Sequence, residues 1–231
     1  MNTTEKKHEI KMVVCDMAGT TVEENNLVYK TLKKAINHFG YAVSLDVVLE
    51  KGAGKEKKQA IDAILRSLGK ELPEADLQEI FDFFLGELES AYQKAVVTPQ
   101  NDANLFFKTL RESNIFIVLN TGYDKKTAET LIDRLDWKIG RDIDALITAD
   151  DVPRNRPYPD MIQRAMDLLA IDSSLSVMKV GDSQIDIAEG QNAGCGLSIG
   201  ITTGAHTAAQ LREANPDYIV DNLLDILPLI N

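Results

Sequence analysis

Cysteine is scarce: the 231 residues include only Cys15 and Cys195, and they form no C-x-x-C pair. A disulfide scaffold is thereby excluded, and both thiols are expected to act as small buried hydrophobes in a reducing compartment. The three histidines, His8, His38 and His206, stand too far apart to suggest a zinc site, and none pairs with a cysteine at ligand spacing. Positive charge is also short, with 25 Lys+Arg against 36 Asp+Glu and a formal net charge of −11. That balance argues against a nucleic-acid partner held through its phosphate backbone. A phosphate-bearing small molecule stays open, because a bound cation and a few basic groups can dominate a pocket. No run approaches the roughly 18 apolar residues of a membrane span. The opening MNTTEKKHEIK mixes charges of both signs without an apolar stretch, so no leader is expected and the protein is read as cytoplasmic, away from membranes. Aromatics are 6% of the chain, and Trp137, Phe81, Phe83 and Phe84 fit packing of helix faces better than base stacking.

What remains is ordinary globular composition, 44% hydrophobic and 26% charged, long enough for one large domain or a core with an insertion. Apolar runs of strand length recur at Met12–Cys15, Ile115–Leu119, Ile143–Ile147, Val177–Val180, Leu197–Ile201 and Tyr218–Val220. The first four are near-continuous rather than alternating, as in parallel strands covered on both faces. Helical patterns at Lys125–Leu135, Tyr158–Leu169 and Ile185–Ala193 fall between the later strands. The alternation predicts an α/β fold, a doubly wound, Rossmann-like parallel sheet whose ligands sit at the carboxyl ends of the strands. Between the first and second strands the rhythm breaks. Helical patterns at Val28–Phe39, Lys55–Leu68 and Glu74–Lys94 exceed what one crossover needs. The expected division is therefore a core of residues 1–26 and 96–231 with an all-helical insertion over 27–95.

Four strand tips carry the polar chemistry. The first ends in Asp16-Met17-Ala18-Gly19-Thr20-Thr21, a carboxylate before a glycine turn and two hydroxyls. The second ends in Asn120-Thr121-Gly122-Tyr123, offering a hydroxyl and backbone N–H groups near a helix start, which suits an anion. The third is followed by a proline-fixed loop carrying Arg154 and Arg156. The fourth ends in Gly181-Asp182-Ser183-Gln184-Ile185-Asp186, two carboxylates one helical turn apart. A carboxylate nucleophile, a hydroxyl, a cation and oxygen ligands on one sheet edge are what phosphoryl transfer through an aspartate with Mg²⁺ requires.

These segments resemble, in order, the four motifs of the haloacid dehalogenase superfamily, over nearly the whole chain, and the helical insertion is similar to its cap domain. By that resemblance Asp16 is the nucleophile that becomes an aspartyl phosphate, and Thr121 holds the phosphoryl group together with Thr20 and the backbone of Gly122. Arg156 stands for the basic third-motif residue. Asp16, the carbonyl of Ala18 and Asp182 would bind Mg²⁺, with Asp186 in support. The departure is Ala18, where most members carry an aspartate that protonates a leaving oxygen. The stretch Asp16-Met17-Ala18-Gly19-Thr20-Thr21-Val22, with Thr121-Gly122-Tyr123 and Arg156-Pro157-Tyr158-Pro159, resembles the phosphonoacetaldehyde hydrolase (phosphonatase) branch.

In that branch the leaving group is carbon, so no oxygen needs a proton at cleavage. A cap lysine condenses with the substrate aldehyde, and the iminium takes the electrons of the C–P bond. Lys55, in Gly52-Ala53-Gly54-Lys55, falls where the resemblance places that lysine, and it doubles as a substrate-binding group. A helix N-terminus and the neighbouring Lys51, Lys57 and Lys58 should lower its pKa. The branch's histidine three residues on is replaced by Lys58. Lys55 as a solvated or anion-binding lysine also stays open. The implied activity is Mg²⁺-dependent C–P hydrolysis of a small phosphonate; the alternatives are a phosphoglycolate-type phosphatase and a catalytically weak binder of a phosphometabolite. A homodimer is compatible with the chain. Gly196-Leu197-Ser198-Ile199-Gly200 matches a nucleophile elbow only by letter, since Ser198 lies inside a predicted strand.

Overall fold

The computed structural model describes residues 9–230; His8 and the residues before it lie outside the described part. The chain enters through β1 (Met12–Asp16) and the two-residue β2 (Val22–Glu23), then runs through α1 (Leu27–His38), α2 (Leu45–Gly52), α3 (Lys57–Ser67) and α4 (Glu74–Lys94). It returns through β3 (Thr98–Pro99), which pairs antiparallel with β2, so one short ribbon joins both ends of the helical segment to the sheet. Thereafter strands and helices alternate: α5 (Ala103–Glu112), β4 (Phe116–Asn120), α6 (Lys125–Arg134), β5 (Ala145–Ile147), α7 (Asp160–Leu169), β6 (Val177–Gly181), α8 (Gln184–Ala193), β7 (Leu197–Ile201), α9 (Ala208–Glu213) and β8 (Tyr218–Val220).

The six long-range strands form one sheet in the order β5-β4-β1-β6-β7-β8, with every pairing parallel. The pleat of β1 explains its unbroken apolar run. Val13 and Cys15 join the core under α5, with Phe106 and Leu110, while Met12 and Val14 meet Met161, Ile162 and Ala165 of α7 on the other face. Cys15 is thus a core residue, as expected, and burial pushes its thiol up to about 12. Cys195 is free and partly buried. Trp137 packs edge-on against Phe107, with ring centroids 5.1 Å apart. No described helix is long and apolar enough to cross a membrane.

Several element ends shift by one or two residues from the sequence expectation, and one helix is new. β5 begins at Ala145 because Ile143 is drawn into a turn, its carbonyl accepting from Gly140 N–H at 2.7 Å. Helix α2 was not foreseen, since its eight residues are too few for a clear apolar period. Its local signals are the cap, Ser44 Oγ accepting from Val47 N–H at 3.2 Å, with Asp46 in the first turn and Lys51 in the last. Helix α3 starts at Lys57 rather than Lys55, because Glu56 acts as its N-cap, accepting from the N–H groups of Lys58 and Gln59 at 2.8 Å each. Lys55 therefore belongs to the loop. Ser198 lies in the middle of β7, away from any strand–turn–helix elbow.

Candidate active site

On either side of β1 the chain winds in opposite directions, so the tip of β1 is the topological switch point of the sheet. Parallel register sets Asp16 beside Asn120, and Cys15 beside Val180, two residues before Asp182. Asp186 follows in the first turn of α8. Oxygens of Asp16, Asp182 and Asp186 lie within 4.8 Å of one another, all three residues buried. Arg156, from the loop after β5, enters this group fully buried. Its Nη1 lies 2.6 Å from Asp16 Oδ1 and 2.9 Å from Asp186 Oδ1, its Nε donates to Glu189 at 2.9 Å, and its Nη2 donates to Asn120 Oδ1 at 2.6 Å. Lys179, buried in β6, lies 3.0 Å from Asp186 and 3.2 Å from Glu189, and donates to Asn120 Oδ1 at 2.7 Å.

Four carboxylates, Asp16, Asp182, Asp186 and Glu189, thus face two cations, Arg156 and Lys179. The distribution is uneven. Burial pushes Asp186 up, but Arg156 and Lys179 outweigh it and hold its carboxyl below the ordinary range. Burial also pushes Asp16 up, with Arg156 opposing. Asp182 has no such partner: burial and the charges of Asp16 and Asp186 hold it well above the usual range. Asp182 Oδ2 accepts from Ala205 N–H at 2.6 Å, but its Oδ1 is buried without any donor. In the turn after β1, Gly19 N–H donates to Val22 and Val22 N–H to Met17, leaving the Ala18 carbonyl outside both bonds. An orphaned carboxylate oxygen, a charge deficit of two and an all-oxygen donor set fit a hard divalent cation.

The anion-binding candidates converge on the same place. Thr20 is fully buried and its hydroxyl has no partner, whereas Thr21 Oγ1 is spent on the Asp16 carbonyl at 2.9 Å. Thr121, at the tip of β4, accepts from Tyr123 N–H at 3.2 Å and keeps its own proton free to donate. Gly122 has a further reason to lack a side chain, since a Cβ there would overlap the Lys55 carbonyl. Gly54 likewise takes a positive φ of 70° against Ser183 and Ile185, and its carbonyl accepts from Arg156 Nη1 at 3.2 Å. The 53–56 loop between α2 and α3 is therefore folded directly onto the sheet edge.

Lys55 contributes its backbone to that contact. Its side chain lines a cavity of about 420 Å³ with His206, Gln184 and Pro157. Burial and Lys51 lower its pKa. Asn120, Lys179 and Glu189 escaped the sequence reading, although a lone lysine within Val177-Met178-Lys179-Val180 was a signal. So did two groups beside the loop, Lys57 and Glu24, both buried.

A family model for haloacid dehalogenase-like hydrolases matches residues 13–199. A phosphonoacetaldehyde hydrolase of Parabacteroides distasonis is 33% identical over 211 residues, covering 86% of this chain and 78% of that protein. The pyrophosphatase PpaX of Bacillus mycoides is 24% identical over 233 residues, covering 96% of this chain and 98% of its own. Among solved structures, a phosphonoacetaldehyde hydrolase-like protein from Oleispira antarctica superposes with a TM-score of 0.82 at 20% identity, covering 97% of this chain and 92% of its own.

Proposed function

This chain belongs to the haloacid dehalogenase-like hydrolases, and from that premise we propose that it is a Mg²⁺-dependent phosphonatase, hydrolysing the C–P bond of phosphonoacetaldehyde. In this reading residues 9–26 and 96–230 are the core that carries the phosphoryl chemistry, and residues 27–95 are the cap over it. The observation that carries the reading is a pairing. Ala18 offers no proton beside the nucleophile, and a lysine-bearing loop lies over the same edge, with the Gly54 carbonyl bonded to Arg156 and that of Lys55 against Gly122. A leaving carbon that passes its electrons to an iminium needs the amine and not the acid.

Asp16 attacks phosphorus and becomes the aspartyl phosphate. Arg156 draws off negative charge from Asp16 and the phosphoryl oxygens, while Thr20, Thr121 and the Gly122 N–H orient those oxygens. Asp16, Asp182 and the Ala18 carbonyl would hold Mg²⁺, supported by Asp186, and the bound ion would supply charge neutralisation for the phosphoryl group. The amine comes from the 52–58 segment that joins α2 to α3, where the sequence nominates Lys55. A second reading, a phosphatase for a small ester of phosphoglycolate type, is supported by the likeness to PpaX over nearly the full length. Phosphate release from phosphonoacetaldehyde and from phosphoglycolate, each with Mg²⁺ and with EDTA, separates the two. The phosphonate should be turned over, and turnover should vanish with the chelator; turnover confined to the ester would replace the first reading by the second.

A further inference from the structure

Helix α3 buries Ile61, Ile64 and Leu65, and the residue that starts this face, at i−4, i−7 and i−8, is Lys57. A lysine 6% exposed on an apolar face is uncommon unless something pairs it. Among the described residues its hydrogen bond goes to the Lys55 carbonyl, at 2.8 Å, and its Nζ lies 4.8 Å from the centre of the Tyr123 ring. No carboxylate among the described residues is bonded to it. The ring beneath it belongs to Tyr123, two residues past Thr121, and Tyr123 Oη meets Tyr92 Oη, so Lys57 stands next to the tip of β4 and to the tyrosine pair. Lys55, by contrast, has Lys51 as its charged neighbour and faces the outer cavity.

Glu24 lies just past β2, where the helical segment leaves the sheet. Tyr92 Oη donates to Glu24 Oε2 at 2.7 Å and meets Tyr123 Oη at 2.8 Å, and Val28 N–H donates to Glu24 at 3.0 Å. Strand ends, α1, α3 and α4 thus bring Lys57, Glu24 and the two tyrosines into one buried polar cluster. From this placement we propose that Lys57, rather than Lys55, is the amine that condenses with the substrate carbonyl, and that Glu24 holds the proton the condensation needs. The assignment rests on the C–P hydrolysis read above.

Burial supports both halves. It drives Lys57 toward the neutral amine, against Asp16, Glu56 and Glu24, and it pushes Glu24 up to about 7. The neutral Nζ adds to the carbonyl carbon, and the oxygen leaves as water with the proton from Glu24, giving the iminium. When Asp16 takes the phosphoryl group, the C–P electron pair moves into the iminium to give an enamine. Water then delivers a proton to the enamine carbon and hydroxide to the imine carbon, and the carbinolamine releases aldehyde and free amine. Hydrolysis of the aspartyl phosphate by a second water returns the proton to Glu24.

Borohydride trapping on the intact wild-type protein decides the matter. The protein is incubated with phosphonoacetaldehyde and borohydride, and phosphate release is followed in a parallel sample without reductant. Cleavage after Glu50 and Glu56 separates the peptide holding Lys51 and Lys55 from the one that begins at Lys57. The expected result is an ethyl or phosphonoethyl group on Lys57, located by tandem mass spectrometry. In parallel, Lys57→Arg should lower turnover on the order of 10³-fold or more, since guanidinium cannot condense with an aldehyde. Turnover with the label on Lys55, or with no label, overturns the assignment and leaves C–P hydrolysis standing. A label on Lys57 without phosphate release keeps the amine and removes that activity; neither label nor release removes both. The wild-type map stands even where Lys57→Arg does not fold.

Discussion

At the sheet edge, Arg156 and Lys179 are wholly buried among Asp16, Asp186, Glu189 and Asn120, whereas on the inserted helices the pairs Lys34–Glu87, Lys58–Glu74 and Arg66–Asp62 reach into solvent. The second kind is the ordinary surface pair, in which Coulomb attraction nearly balances the entropy of holding two long side chains. The first kind carries a desolvation cost that apolar residues of the same volume would avoid. A cluster so disfavoured, set at the switch point of the sheet with one carboxylate oxygen unpartnered, is accounted for by the reaction it serves rather than by stability.

The comparison is broken most sharply at Asp16. Asp16→Asn keeps the shape but neither attacks phosphorus nor binds a cation well, so phosphate release should fall by roughly 10⁴-fold or more with the folded spectrum retained. Near wild-type turnover in that variant would remove the covalent route. Chelation is expected to act comparably on the native protein. EDTA should abolish phosphate release and Mg²⁺ restore it, and full activity after chelation would leave the orphaned Asp182 oxygen without a role.

Arg156→Lys tests whether the buried network depends on shape as well as charge. One ammonium cannot reach Glu189, Asp16 and Asn120 together, so a buried charge loses its partner. Urea denaturation should show a loss of about 3–5 kcal/mol. A loss near zero would mean that the network relaxes freely.

Glu24 gives a smaller and pH-dependent effect. Its carboxyl is raised from 4.5 to about 7, first by burial, against the bonds from Tyr92 and Val28 and the charge of Lys57, with Glu23 adding to the rise. The native state therefore binds the proton more tightly than the unfolded chain, and stability attributable to Glu24 is full below pH 4.5 and is lost as pH rises toward about 7. Glu24→Gln removes this titration. The gap between variant and wild type in urea midpoint should open across that window, by at most about 1.4 kcal/mol per pH unit. A gap that stays constant with pH would contradict the buried, proton-holding carboxyl. Smallest of all, Arg66→Ala removes the exposed pairs with Asp62 and Glu71 and should leave the urea midpoint nearly unchanged in the same assay. A loss as large as that of Arg156→Lys would erase the contrast between the two regions.

The sheet and the outline of its edge were legible because both are local patterns. A parallel strand covered on two faces is an unbroken apolar run, and the first polar residues after it fall where such sheets bind ligands. Asp16, Thr121, Asp182 and Asp186 follow from that rule alone. Even the departure at Ala18 is a matter of one letter.

What the sequence by itself determined, then, was the α/β order, the helical insertion and the acidic and hydroxyl groups at the strand tips. Which partners these groups meet was decided only in three dimensions. The Arg156–Asp16 bond joins residues 140 apart, and Asn120 and Glu189, 69 apart, meet through strand register and the docking of α8. The two lysines differ by two positions in a run that reads alike, but the Glu56 cap starts the helix between them. That cap turns Lys57 onto the buried face toward Tyr123 and leaves Lys55 at the rim. Helix phase and packing carry that choice, because a rotation of about 100° per residue decides between core and solvent where composition is the same.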